Sequence, residues 1–412
     1  MPPPSDADSP SGILALPEEL LVHVFAGMDL ADRHRGLALC CRGWHRLVCS
    51  SPMLLRSVSV SIPNTPAFMT RLRSLCQWLL RRAAPHMEQL RLRLSHEAAG
   101  AWNDVESQWW RLDFTTTLAA AMAACGMHGR LRDLSLQLDI DFSIHLGSWM
   151  APLASLQRLT AALLTNLQQL VLLPRLETSD EEEDDGPWEQ LCSLTCLRMS
   201  GFSTRAPRGL GALTQLRSLH LARPSGGDLF SSAEAELLHE ALPALQHLTH
   251  LGLELVLLSP PASLASLRQL RSFGFLSYED SDDPEDPGQL PAGPWVAGLQ
   301  RLAGSCSLLT ASLPVLEAAS QLQELGLLVV VDSEQQAALR ILQWAAGRPA
   351  LRRVRVECLG RLGSAVRRAV SGAARQLPQL ELDVYQFEDP PWLDEYDWQA
   401  VFPDLPPVPS CP

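Results

Sequence analysis

The chain has 412 residues, is 46% hydrophobic and 19% charged, and carries a formal net charge of −13. That length supports a large core or several stacked units, and the acidic balance argues against a nucleic-acid binder, which reads phosphates with a basic stripe. Ten scattered cysteines make no disulfide ladder, MPPPSDADSP has no apolar leader core, and the most apolar stretch, Leu325 to Val331, is shorter than the about 20 residues of a membrane span. The expected setting is therefore reducing, cytoplasmic or nuclear, with no membrane contact.

Residues 1–12 read as a disordered N-terminus. LALPEELLVHVFAGMDL follows, from Leu14 to Leu30. Pro17 suits a first helical turn, and Glu18 and Glu19 complement the positive end of the helix. Leu20, Leu21, Val24 and Phe25 then fall at helical spacing, and Met28-Asp29-Leu30 ends the helix. A second helical stretch carries Leu37, Leu39, Cys40, Cys41, Trp44, Leu47 and Val48 before Pro52 stops it, and Met53-Leu54-Leu55 follows. Such a small set of helices has too little core to stand alone and must lean on something.

The elements Leu16-Pro17, Leu20-Leu21, Val24-Phe25, Asp29-Leu30, Cys41-Arg42-Gly43-Trp44 and Pro52-Met53-Leu54-Leu55-Arg56 occur in the order and spacing of the F-box. Residues 13–58 resemble that family. Leu55 departs from it, standing where Trp is usual. Gly36 and Gly43 also fall inside expected helices, each costing about 1 kcal/mol relative to Ala. The resemblance implies binding to the Skp-type adaptor of a cullin-RING ubiquitin ligase. It assigns that contact to Leu16, Pro17, Leu20, Leu21, Val24 and Phe25, and leaves Trp44 and Leu47 to hold the module together. A module confined to sealing the first repeat is the other reading, because repeat arrays need caps.

Residues 59–86 are expected to be a coupling helix. In AFMTRLRSLCQWLLRRAAP, Phe68, Leu72, Leu75, Cys76 and Leu79 share a face. Beyond it one pattern recurs: Leu, two residues, Leu, one residue, Leu. LRSLHL at Leu216, LTHLGL at Leu248 and LQELGL at Leu322 are the clearest copies. Further copies start at Met87, Leu131, Leu156, Leu194, Leu270, Leu299, Leu351 and Leu377. Most gaps between copies fall in or near the 20–29 residues of leucine-rich repeats. The 44-residue gap after Met87 holds either a long helix or a missed repeat.

Alternation after the first Leu predicts a short strand with one buried face, and stacked copies bury a continuous core. Ser231 to Glu234 and Ser333 to Gln336 read as capping boxes that open helices between strands. Residues 87–385 thus resemble the leucine-rich-repeat family. The implied fold is α/β: a solenoid of parallel strands plus helices, preceded by the small all-α module. The Asn or Cys usual eight positions after the first Leu is missing, so the horseshoe is expected to be irregular.

Two inserts, 177–187 and 278–294, are dense in acids. Glu177 to Asp185 and Glu279 to Asp286 contain no Lys or Arg and account for the whole net charge. They read as solvated loops, lacking the ligand alternation of an EF-hand. The tail, 386–412, sets Trp392, Tyr396, Trp398 and Phe402 among acids. It is expected to cover the open end of the last repeat and to be partly disordered. No phosphate-binding loop, HExxH or zinc pairing emerges, and Cys192 and Cys196 have no second pair nearby.

The combined expectation is a non-catalytic, cofactor-free substrate-recognition subunit of an SCF-type ligase, joining the Skp-type adaptor and cullin to a protein substrate. Substrate contacts are assigned to residues between the leucines: Arg91, Arg93, Gln137, Arg198, His220, Glu254, Arg355, Glu357, Glu381 and Asp383. Their mixed signs point to a polar protein surface. The alternative is a ligase-independent repeat scaffold capped by its helical module.

Overall fold

A computed structural model describes residues 16–28, 30–63, 65–96, 104–140, 158–163, 191–200, 208–222, 232–254, 260–276, 288–329, 335–359, 366, 368 and 381–387. Short helices open the chain: α1 (Glu18–Ala26), α2 (Leu30–Asp32), α3 (Ala38–Cys40), α4 (Arg42–Ser50) and α5 (Pro52–Leu55). A π-helical turn, Arg33–Leu37, joins α2 to α3.

Twelve strands follow among the described residues: β1 (Ser57–Ile62), β2 (Gln89–His96), β3 (Asp133–Ile140), β4 (Arg158–Leu163), β5 (Cys196–Ser200), β6 (Ser218–Ala222), β7 (His250–Glu254), β8 (Ser272–Leu276), β9 (Arg301–Ser305), β10 (Glu324–Val329), β11 (Arg353–Leu359) and β12 (Glu381–Phe387). They form one sheet whose spatial order equals chain order, and every neighbouring pair is parallel. Single strands stacked in sequence are the architecture of a leucine-rich-repeat solenoid.

The crossovers include α6 (Phe68–Trp78), α7 (Asp104–Met127), α8 (Ser232–Ala241), α9 (Cys306–Ala311), α10 (Leu313–Leu316) and α11 (Gln335–Ala346). Short 3-10 turns serve between β7 and β8 and between β8 and β9. This mixture gives the uneven repeat lengths. The capping boxes at Ser231 and Ser333 begin outside the described residues, but α8 and α11 start one and two residues after them.

Register explains the leucine pattern. Val58, Leu90 and Leu134 are successive cross-strand partners, as are Leu197, Leu219 and Leu251. All are buried in one core that continues to Val354. Each fully buried Leu contributes about 1.5–3 kcal/mol. At the strand entrances a backbone ladder ties repeat to repeat. The Arg217 carbonyl accepts the Thr249 and His250 amides at 2.8 and 3.0 Å, and the Thr249 carbonyl accepts those of Arg271 and Ser272 at the same distances.

Several expectations are corrected. The sheet starts at Ser57, not at residue 87. SVSVSI lacks the leucine triplet, but its serines alternate with Val58, Val60 and Ile62, and Val58 and Ile62 are buried. The coupling helix is therefore the crossover of the first repeat, with Phe68, Leu72, Leu75 and Cys76 in the core. The 44-residue gap holds the 24-residue α7.

The last triplet shifts by two. Val354 pairs with Leu382, so Leu382 takes the second apolar position and not the third. A shift of two keeps every side chain on its face. The second insert ends earlier than expected. Leu290 is buried and its amide donates to Ser312 Oγ at 2.8 Å. Gly293 lies so close to Ala265 that a Cβ there would stand 2.8 Å from the Ala265 Cα. Among the described residues no helix is long and apolar enough to cross a membrane.

Candidate functional site

Two surfaces stand out, one on the helical module and one on the sheet. Helix α1 starts after Pro17, whose carbonyl accepts the Leu20 and Leu21 amides at 3.0 and 3.1 Å. Leu21 and Phe25, one turn apart, enter a small core with Ala38, Leu47, Val48 and Leu54. The Phe25 ring meets Trp44 edge-on at 5.1 Å. The Cys41 sulfur caps α4 by accepting the Trp44 amide at 3.4 Å. Arg33, buried, donates to the Leu54 carbonyl at 2.7 Å and fixes α5 against the π-helical turn.

The module is fused to the array. Leu54 belongs to the module core, while its neighbour Leu55 belongs to the array core. Leu30 packs on that same array core. His34 stands edge-on to Trp78 of α6 at 6.0 Å. Burial lowers the His34 pKa from the ordinary value, and the charges of Arg33, His45 and Arg82 lower it further.

This packing divides the six residues assigned to the adaptor. Leu16, Leu20 and Val24 are 37%, 51% and 47% exposed, and Pro17 is exposed. Leu21 and Phe25 are not presented to a partner, because a helix of nine residues must spend one face on its own module. Leu39 on α3 and Met53 on α5 are exposed as well; the resemblance did not single them out.

The second surface is the sheet face opposite the leucine core, on which no helix lies among the described residues. Its middle row runs Ser59, Arg91, Ser135, Thr160, Arg198, His220, Gly252, Gly274, Ala303, Gly326, Arg355, Asp383. The structure thus aligns Arg91, Arg198, His220, Arg355 and Asp383 from the expected substrate set. Arg93, Gln137, Glu254 and Glu357 lie one row further along their strands, and Glu381 lies one row before. The side chains of Gln137, Glu254, Glu357, Glu381 and Asp383 are outside the described residues.

Arg91 is exposed and Arg93 half-buried, so the first strands present a polar, basic face. Three of the residues assigned to the substrate are nevertheless buried. Arg198, His220 and Arg355 are buried, at 6%, 0% and 9% exposure. Alternation takes a side chain out of the leucine core; it does not guarantee water on the other side. Burial, with the Arg198 charge adding to it, holds the His220 pKa well below the ordinary histidine value. The imidazole is therefore neutral at physiological pH.

Between His220 and Arg355 the row has almost no side chains: Gly252, Gly274, Ala303 and Gly326. The His220 ring lies over the first of these, since a Cβ on Gly252 would stand 2.9 Å from His220 Nδ1. Leu276 and Leu328 stand in the next row and are 0% and 1% exposed, yet belong to no part of the leucine core. The assignment of polar positions alone missed this trough. Its signal was present in the copies HLGLE, SFGFL, RLAGS and ELGLL, which place Gly or Ala at one fixed position.

The stacked-repeat sheet, continuous with a small helical module, is a leucine-rich-repeat solenoid fold with two candidate surfaces. Residues 13–61 match the F-box-like family. Solved structures similar to the chain include an internalin (inlF) from Listeria monocytogenes str. 4b F2365. It is 13% identical with a TM-score of 0.41, over 86% of this chain and 94% of that one. No curated protein matches the chain.

Proposed function

We propose that the chain is a substrate-recognition subunit of an SCF-type cullin-RING ubiquitin ligase. The observation that carries the reading is the second apolar face of α1. Leu20 and Val24, one turn apart, stay about half exposed while Leu21 and Phe25 fill the module core. A helix apolar on two faces has one face left for a partner, and the F-box-like match at residues 13–61 supports a Skp-type adaptor in that place. The exposed Leu16, Pro17, Leu20 and Val24 would meet the Skp-type adaptor. Leu21 and Phe25 would act through them by holding α1 in place.

The mechanism is positional. The module grips the ligase through its adaptor and cullin, the sheet face opposite the leucine core holds a protein substrate, and the raised effective concentration favours ubiquitin transfer. The fusion of module and array through Leu54 and Leu55 suits this role, because a stiff joint fixes the distance between the two ends. The same fusion favours a second reading, in which the module only caps the first repeat of a scaffold. Capping uses Leu30 and Leu55, which leaves the α1 face free. Capture of the purified Skp-type adaptor by the full chain, and its loss in a Leu20→Asp/Val24→Asp chain of unchanged circular dichroism, supports the ligase reading. Equal capture by both chains, or capture by neither, overturns it.

A further inference from the structure

A third surface lies on the edge of the sheet where the strands begin, apart from the α1 face and from the row opposite the leucine core. The backbone ladder at the strand entrances runs along it. The Arg271 carbonyl accepts the Gln300 and Arg301 amides, that of Gln300 accepts Gln323 and Glu324, and that of Gln323 accepts Arg352 and Arg353, at 2.8 to 3.0 Å. The ladder therefore sets Arg217, Thr249, Arg271, Gln300, Gln323 and Arg352 side by side, one per strand, about 4.8 Å apart. This row holds arginine, glutamine and threonine and no carboxylate.

A groove of about 400 Å³ opens beside the row, and its lining includes Arg268, Gln269, Arg271, Gly298, Gln300 and Gln321. It runs from Thr249, before β7, to Gln321, before β10, three strand spacings or about 14 Å. Arg268 and Arg271 are exposed, and neither has an ion pair among the described residues. The acids near them in sequence are already paired: Arg301 holds Glu324 at 3.2 Å, and Arg348 holds Glu317.

We infer that this groove binds an extended acidic segment of a partner protein, its carboxylates on the arginines and its main-chain amides on the glutamines. Charge is the first argument. Each guanidinium offers a planar fork of N–H donors that a carboxylate matches with two bonds. Arg217, also exposed, repeats the charge two strands from Arg271, about 10 Å away. An extended chain covers that distance in about three residues, so the fitting segment carries acids three apart.

The glutamines are the second argument. Gln269, Gln300 and Gln321 each bring a donor and an acceptor, which is what a peptide group pairs with. A phosphate backbone accepts and does not donate, and the net charge of −13 opposes a dense polyanion. Room is the third argument. Among the described residues, a Cβ on Gly298 would meet the Leu270 carbonyl oxygen at 3.7 Å, an ordinary contact, and no other atom within 4 Å. Packing thus admits a side chain at 298, and glycine leaves the groove open.

The test is fluorescence anisotropy with the full chain and a fluorescein-labelled peptide carrying Glu at every third position. Binding is expected, weakened by salt, and weaker by at least about tenfold in Arg268→Ala/Arg271→Ala. Gly298→Leu keeps both arginines and should weaken it as well, with circular dichroism unchanged. Arg46→Ala/Arg81→Ala removes the same charge from exposed positions in the helical module and just after α6, and should bind like the parent. No binding by the parent would overturn the inference. So would equal binding of a peptide with Gln in place of Glu, or equal binding by the Arg268→Ala/Arg271→Ala chain. Indifference to Gly298→Leu would place the contact outside the groove, and an equal loss in Arg46→Ala/Arg81→Ala would assign it to net charge; either overturns the inference. Tighter binding of a single-stranded DNA oligonucleotide of the same charge would overturn it in favour of nucleic acid. The Skp-type adaptor plays no part in these readouts, so the groove and the ligase reading stand or fall separately.

Discussion

Leu20 and Leu21 are adjacent and chemically identical, yet the structure gives them opposite consequences. Leu21 is 7% exposed and Leu20 is 51% exposed. Truncating a buried Leu to Ala costs about 2–5 kcal/mol, because the transfer energy is lost and a cavity remains. Leu21→Ala should therefore raise hydrogen exchange of the α1 amides about 30-fold or more, at 1.36 kcal/mol per factor of ten. Leu20→Ala should leave exchange nearly unchanged, since surface substitutions stay within about 0.5 kcal/mol.

Adaptor affinity should respond to Leu20 directly. Full burial of a Leu is worth about 1.5–3 kcal/mol, so its exposed half leaves about 0.8–1.5 kcal/mol for a partner, a loss of about 4- to 12-fold in Kd. Adding Val24→Ala, 47% exposed, should take the combined loss to at least about tenfold. Exchange mass spectrometry and an adaptor titration on the same three proteins read both effects. Undiminished affinity in the double variant would refute the account of the exposed face. Unchanged α1 exchange in Leu21→Ala would refute the account of the buried one.

Two further outcomes follow from the same geometry. Gly293→Ala should destabilise the array by about 1–3 kcal/mol in urea titration, since the new Cβ meets backbone at Ala265 and has nowhere to go. Gly36→Ala, with nothing within 4 Å and a helical setting, should be neutral or stabilise by up to about 1 kcal/mol. The reverse order would refute both. His220 carries a pH dependence: its folded pKa lies well below the ordinary 6.5, so on acidification the unfolded chain takes up a proton that the folded chain refuses. Stability should be complete above about pH 6.5 and fall below it, by up to about 1.4 kcal/mol per pH unit. Urea midpoints between pH 7.5 and 5.5 should show a shallower fall in His220→Gln; an equal slope would assign the loss to other groups.

The repeat architecture was legible because leucine spacing is itself the packing rule. The copies LRSLHL, LTHLGL and LQELGL put two side chains of each strand into one core, and a slip of one residue would expose them all. β1 was harder to see because SVSVSI buries Val and Ile in the same register without the leucine signature. The two-residue shift of the last copy was also hidden, since LPQLEL and LELDV each satisfy alternation and only pairing with β11 chooses between them.

The sequence by itself determined which residues are apolar, at what period, and hence that a stacked parallel sheet would form behind a small helical module. Burial on a helix or strand is relative to neighbours that the period does not name. Only the tertiary structure sent Leu21 and Phe25 inward and left Leu20 and Val24 outside, because α4 and α5 approach α1 from one side. Only the tertiary structure gathered Gly252, Gly274, Ala303 and Gly326 from four distant copies into one trough, because hydrogen-bonded register aligns equivalent positions that the chain separates by more than 20 residues. Likewise it alone buried His220 and Arg355 at positions that alternation had marked only as outside the leucine core.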